Sequence, residues 1–202
     1  MNLREEIQHI YLVGAKSLVA YGGYETFVYK LTEYHQNKEN IKYHVACKAN
    51  GDGCMDESKF EGVTKINDHE FELHNAHCFK IDVPQIGSAQ AIYYDVAALK
   101  ACCEHIKKKH IPHPIVYIMA CRIGPFAGHF YRKIHKLGGT VYLNPDGECE
   151  IIRGCHNRDK GTAENERLRN PKFIFSYPKN ERMIFLGGSS AIQKEISTMR
   201  VG

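Results

Sequence analysis

Three groups of residues have the types and spacing to hold an anionic ligand. The first is Lys16 with Tyr21, Gly22, Gly23 and Glu25, between an apolar run that ends at Gly14 and a helical pattern that begins near residue 24. A helix N-terminus leaves backbone N–H groups unpaired and carries partial positive charge, so glycines there let a phosphate approach the main chain closely. The second is Arg122, just past the unbroken apolar segment 114–120, whose guanidinium can clamp a phosphate or sugar hydroxyls. The third is Asn144 with Asp146 and Gly147 in an Asn-Pro-Asp-Gly run, where Asp146 can accept hydrogen bonds from ligand hydroxyls or serve as a base. Each group also has a purely structural explanation. Gly-Gly relieves strain in a turn, and Asn-Pro-Asp-Gly is an ordinary turn sequence. Glu25 is favourable in a first helical turn without any ligand, and Lys16 can simply be solvated.

Other chemistries fare worse. Gly14 and Gly22 are too far apart for the dinucleotide-binding Gly-x-Gly-x-x-Gly, and no Gly-x4-Gly-Lys-Ser/Thr occurs, so neither an NAD enzyme nor a P-loop NTPase is supported. Among the 12 histidines, the pairs 74 and 77, 110 and 113, and 129 and 135 lack a matching ligand set at site spacing. Cys149 with Cys155 and His156 is an incomplete zinc pattern, so no metal is expected. Cys121 is a thiol beside the second group, without an activating histidine identifiable from sequence.

The elements that must position these groups alternate in type. Segment 9–14 reads as a strand, 24–36 as a helix, 41–47 as a second strand, and 71–74 with 77–81 as a hairpin or short strand pair. A long helix spans 89–109, with Ile92, Val96, Leu99, Cys103 and Ile106 forming one apolar stripe at spacings of three and four. Segment 114–120 has the continuous apolar character of a strand buried on both faces. A further helix follows Pro125 and ends at Gly138-Gly139, and 140–144 is one more strand. The alternation predicts an α/β, Rossmann-like domain: a mainly parallel sheet with helices on both faces and ligands beyond the carboxyl ends of its strands. All three groups then fall in loops at that end.

Composition narrows the class further. The 202 residues are 43% hydrophobic, enough for one full-sized domain with a real core. A net charge of +4 is too weak for a nucleic-acid footprint, which excludes that partner. No basic start with an apolar run suggests a signal peptide, and no run of about 18 apolar residues suggests a membrane span, so a cytoplasmic location is expected. The eight cysteines are scattered rather than arranged as a disulfide framework, and reduced thiols are expected.

The ordered set Val13-Gly14-Ala15-Lys16, 21–28, Ile86-Gly87, 94–99, 120–126, Gly138-Gly139 and 144–147 resembles the N-terminal domain of bacterial rhamnosyltransferase-like glycosyltransferases, over about residues 8–147. These are capsule and cell-surface polysaccharide enzymes. The resemblance implies half of a GT-B architecture, in which a sugar passes from a nucleotide-diphosphate donor to a glycan or lipid-linked glycan acceptor, with no metal or other cofactor required. It places Gly22-Gly23 near the donor diphosphate and implies a mainly acceptor-side role for this domain, with peripheral association at the inner membrane face. Residues 148–202 depart from the family, which continues with a His-Glu-Trp segment where this chain has no tryptophan at all. They are expected to be a divergent tail, the product of truncation or a frameshift, with the donor domain missing or supplied by a partner chain. The rival expectation is a glycan- or partner-binding module that turns nothing over.

Overall fold

The structure, a computed structural model, describes residues 7–18, 23–120 and 126–143, together with the backbone of Arg182 and Met183. In chain order the elements are β1 (Gln8–Val13), α1 (Gly23–Tyr34), β2 (Ile41–Lys48), β3 (Thr64–Lys65), β4 (Glu70–Leu73), β5 (Ala76–Ile81), α2 (Ala89–Lys109), β6 (Ile115–Ile118), α3 (Ala127–Lys136), β7 (Thr140–Leu143) and β8 (Arg182–Met183). One sheet holds all the strands in the order β3-β4-β5-β2-β1-β6-β7-β8. From β5 to β8 every neighbour pairs in parallel, while β3 and β4 add an antiparallel edge. The chain thus starts at the centre of the sheet, winds outward through β2 and β5, then crosses back to lay down β6, β7 and β8 on the other side. This is the doubly wound, Rossmann-like arrangement that the alternation predicts.

Pairing in parallel forces crossovers, and the helices that make them cover both faces. Ile10, Leu12, Tyr43, Val45, Cys47, Phe71 and Leu73 point to one face, where α1 contributes Val28 and Leu31. Tyr11, Val13, Ala46, Val116, Ile118, Val141 and Leu143 point to the other, under α2 and α3. Successive strand residues therefore alternate between two cores, which is why the later residues of β1 and β6 read as continuous apolar runs. β1 and β2 are only half-buried at their first two residues and fully buried beyond them. The amino ends of the strands are consequently the less covered edge of the domain.

The long helix differs from its predicted stripe in one respect. Leu99, Cys103 and Ile106 are buried, but the buried face continues through Tyr94, Asp95, Ala98 and Cys102. Ile92 is 44% exposed, so the seam is rotated at the helix's first turns toward Tyr94. The cause is visible in that side chain: the Tyr94 hydroxyl lies 2.5 Å from the Ala15 carbonyl and 2.8 Å from that of Ala46, which pins the start of α2 onto the ends of β1 and β2. At the other end His110 takes a left-handed conformation and its N–H reaches the carbonyls of Ile106 and Lys107, while Lys107, Lys108 and Lys109 complement the helix dipole. The predicted hairpin is present as β4 and β5, turning at His74-Asn75. Among the described residues the cysteines 47, 54, 78, 102 and 103 are free thiols.

Candidate functional site

β1 and β6 lie side by side, yet the chain leaves β1 toward α1 and β2 and leaves β6 toward α3 and β7. A crevice must open where the two connections part, beyond the carboxyl ends of these strands. The register makes the convergence concrete: Val13 pairs with Ile118, and Ile118 pairs with Leu143. The last residues of β1, β6 and β7 therefore stand in one row, and the three loops singled out in the sequence leave the sheet from adjacent positions. The β1 and β6 ends are locked together by the Met119 N–H donating to the Val13 carbonyl at 2.8 Å. Gly14 continues from that lock with φ +115°, and a Cβ there would lie 2.7 Å from the Ala120 nitrogen. The tight packing of the first loop against the second thus depends on a glycine.

Beyond Gly14 the first loop is held by its own main chain. The Lys16 carbonyl accepts the Lys48 N–H at 2.7 Å, and the Lys16 N–H donates to the Glu25 carboxylate at 2.9 Å. Glu25, expected to touch ligand, thus clamps the loop to the first turn of α1. Lys16 has its ammonium 3.8 Å from Asp52, whose side chain is almost fully exposed. A pair so solvated contributes little and leaves the lysine able to turn to another anion. Gly23 opens α1, and a Cβ built there meets nothing within 4 Å. Nothing in the described structure requires a glycine at that position. Gly23→Ala is therefore expected to keep or slightly raise the melting temperature, because alanine is the better helix residue by up to about 1 kcal/mol. If the same variant loses ligand affinity by calorimetry, the glycine serves the ligand's close approach; unchanged affinity removes Gly23 from the site.

Tyr21, Gly22, Arg122, Asn144, Asp146 and Gly147, with Cys121, Cys149 and Cys155, lie outside the described residues. The anchors on either side of the first two loops are described, and they are Leu18 with Gly23 and Ala120 with Phe126. Three residues with buried polar groups at this end were not among the predicted site residues: Lys48, Tyr94 and Asp95. The Lys48 ammonium donates to the Asp52 carbonyl at 2.8 Å and lies 3.3 Å from Gln90. Lys48 ends a strand as Arg122 ends a segment, so its position was readable; the burial of Tyr94 and Asp95 inside a helix pattern was not.

A second cluster of titratable groups occupies the opposite, amino end of the strands, under α2. Tyr11, His44, His77 and Glu72 form one row across β1, β2, β5 and β4. His9 precedes Tyr11 on the same face, and His105 descends from α2. His44 Nε2 is 2.9 Å from His9 Nδ1, His44 Nδ1 is 3.4 Å from His77 Nδ1, and the Tyr11 hydroxyl is 2.7 Å from His105 Nδ1. His77 Nε2 lies 3.5 Å from the Glu70 carboxylate. Burial, reinforced by the neighbouring histidines, pulls His44 down to about 2. Burial likewise pulls His105 down to about 4. Both rings are neutral at neutral pH. A groove of about 750 Å³ opens over them, rimmed by Lys42, Glu104, Lys108 and Lys109.

A doubly wound α/β domain with a crevice at its topological switch point is thus the class that the fold and the first site define. The chain belongs to the family described as a domain of unknown function, DUF1972, which it matches over residues 7–159. The match runs past the boundary expected at residue 147. No curated protein matches the chain. Among the described residues no helix is long and apolar enough to cross a membrane.

Proposed function

We propose that this domain is the acceptor-side half of a glycosyltransferase that moves rhamnose or a related hexose from a nucleotide-diphosphate sugar to a surface-polysaccharide acceptor. The observation that carries this reading is the row Val13, Ile118 and Leu143, from which the three ligand-type loops depart together at the switch point. The resemblance of those same loops to rhamnosyltransferase-like enzymes supplies the substrate class. In this reading Lys16 and the α1 N-terminus with Gly22-Gly23 face the donor diphosphate, and Arg122 stabilises the charge that develops on it as the sugar leaves. Asn144, Asp146 and Gly147 contact the acceptor, with Asp146 as the base that takes the proton from its hydroxyl. The chemistry requires neither a metal nor another cofactor. It belongs at the cytoplasmic face of the inner membrane.

The second reading, a glycan- or partner-binding module without turnover, is favoured by one observation. The described residues form a single sheet, whereas a GT-B enzyme needs two domains facing each other. A thermal-shift panel of nucleotide-diphosphate sugars and oligosaccharides on the full chain separates the two. Ligand at 100 times its Kd stabilises a native state by about 2.7 kcal/mol. The transferase reading expects a nucleotide sugar to raise the melting temperature and Arg122→Ala to erase that rise while the unliganded melting temperature stays put. A response to glycans alone would establish the binding module, and nucleotide-sugar binding indifferent to Arg122→Ala would strike that residue from the site.

A further inference from the structure

We propose that His44, His77 and His105 form a binding site for a divalent transition-metal ion of the zinc type, joining α2 to β2 and β5 at the end of the sheet remote from the crevice. One ring nitrogen from each of the three lies within 4.8 Å of the others. Zinc bound by imidazole at about 2.0–2.1 Å in a tetrahedron separates its ligand nitrogens by about 3.3 Å. His44 Nδ1 and His77 Nδ1 already stand 3.4 Å apart. Modest rotation of the half-buried His77 and His105 rings closes the remainder, since neither is as firmly packed as His44.

The outer partners of the three rings decide which nitrogens are free. A metal-bound imidazole normally donates its other N–H to a fixed acceptor, which sets the tautomer. Here the His44 Nε2–H can donate to His9 Nδ1, the His77 Nε2–H faces the Glu70 carboxylate, and the His105 Nδ1–H can donate to the Tyr11 hydroxyl oxygen. That leaves a lone pair on Nδ1 of His44, Nδ1 of His77 and Nε2 of His105 to accept a metal. Two facing lone pairs at 3.4 Å repel each other unless a cation lies between them. The other proton arrangement runs from His9 through His44 to His77. It makes the 3.4 Å contact a long N–H···N hydrogen bond, the arrangement of the ion-free site.

Three imidazole ligands suit zinc, copper or nickel rather than magnesium or calcium, which prefer oxygen. Glu70 and Glu72 on β4 offset the charge that the ion brings, and Lys42 is already paired with Glu72 at 3.0 Å. The fourth position faces the open groove and would hold water. An ion here links elements that are distant in sequence, so its effect is on stability, and by mass action it raises the melting temperature as its concentration exceeds Kd.

The test uses the full chain stripped with a chelator and titrated with zinc chloride by calorimetry and thermal shift, and with cobalt(II) by visible absorption. The expected result is one ion per chain, a raised melting temperature, and a cobalt spectrum with tetrahedral d–d bands but no thiolate charge-transfer band. His77→Ala and His105→Ala, both at half-buried positions, are each expected to weaken zinc binding at least tenfold, while Cys149→Ser with Cys155→Ser leaves it unchanged. The cobalt spectrum on the unmutated chain keeps the test decisive if either histidine variant fails to fold. Absence of uptake at micromolar zinc, a thiolate band, or binding indifferent to both histidine variants would overturn the site. Failure here leaves the crevice reading untouched, because the two sites lie at opposite ends of the sheet and the readouts differ.

Discussion

Gly14→Ala is expected to lower the stability of this domain by about 2–6 kcal/mol, the sum of two costs that fall on one residue. An alanine held at a φ of +115° occupies backbone space that side chains rarely adopt, at about 1–3 kcal/mol. Its Cβ also meets the Ala120 nitrogen at 2.7 Å, and overpacking of this kind costs about 1–3 kcal/mol. The obstacle is main chain, not the tip of a flexible side chain, so it cannot swing aside. Parting the loops to make room would stretch the Met119 to Val13 hydrogen bond, which closes the β1 and β6 ends at 2.8 Å. Set against a typical domain stability of about 5–15 kcal/mol, the loss is large. Urea denaturation would show the midpoint falling with an unchanged slope. Ligand binding at the crevice would fall as well, since the same contact fixes the relation of the first loop to the second. A Gly14→Ala variant within about 0.5 kcal/mol of the parent would mean that the two loops are not packed as described.

How far the sequence discloses this molecule depends on whether a feature is local. The alternation of apolar runs and helical stripes locates β1, α1, β2, the β4–β5 hairpin, α2, β6, α3 and β7, because period and turn residues are written within each segment. Burial on both faces of β6 is legible for the same reason. The register is not local: that Val13, Ile118 and Leu143 share a row follows from strand pairing, so the convergence of three loops could be argued only from the general rule for parallel sheets. The role of Glu25 is legible only as a helix-start carboxylate, since its actual partner is a backbone N–H nine residues earlier in the chain. The histidine cluster is the clearest case. Metal-site reasoning looks for ligands a few residues apart, whereas His44 and His77 are 33 residues apart and become neighbours only because β2 pairs with β5 in parallel. His74, the closer partner of His77 in sequence, sits in the hairpin turn and contacts Thr32 and Tyr29 on α1 instead.

That pairing of β2 with β5 depends on one amide, and the amide gives the second large effect. Asn75, 9% exposed in the hairpin turn, places its Nδ2 at 3.0 Å from the His35 carbonyl, 3.1 Å from Lys38 and 2.6 Å from Ile41. Its main-chain carbonyl, which any residue there would supply, accepts the Tyr43 N–H at 3.1 Å. The side chain thus ties the end of α1 and the start of β2 to the turn that delivers β5, and so fixes the register on which the His44–His77 contact rests. Asn75→Ala removes the shared donor from three carbonyls, and because leaving a buried acceptor unpaired costs about 1–3 kcal/mol, a total loss of roughly 2–4 kcal/mol is expected. Asn75→Asp has nearly the same shape but replaces the donor with an acceptor, so at pH 7 a carboxylate would face three carbonyl oxygens. It should be less stable than the alanine variant at that pH. The surroundings disfavour the charged form, so the aspartic acid's pKa in the folded protein lies above its unfolded value of about 3.9. Between those two values the native state binds more protons than the unfolded state, and stability falls as pH rises. The aspartate variant's deficit relative to the parent should therefore be smallest near pH 4 and grow toward pH 7, because only the protonated acid can donate to a carbonyl. Urea midpoints for the three proteins at several pH values read this directly. A flat deficit across that range, or an aspartate variant as stable as the parent at pH 7, would show that the three carbonyls do not depend on the Asn75 amide, and the account of how the hairpin is registered would have to be given up.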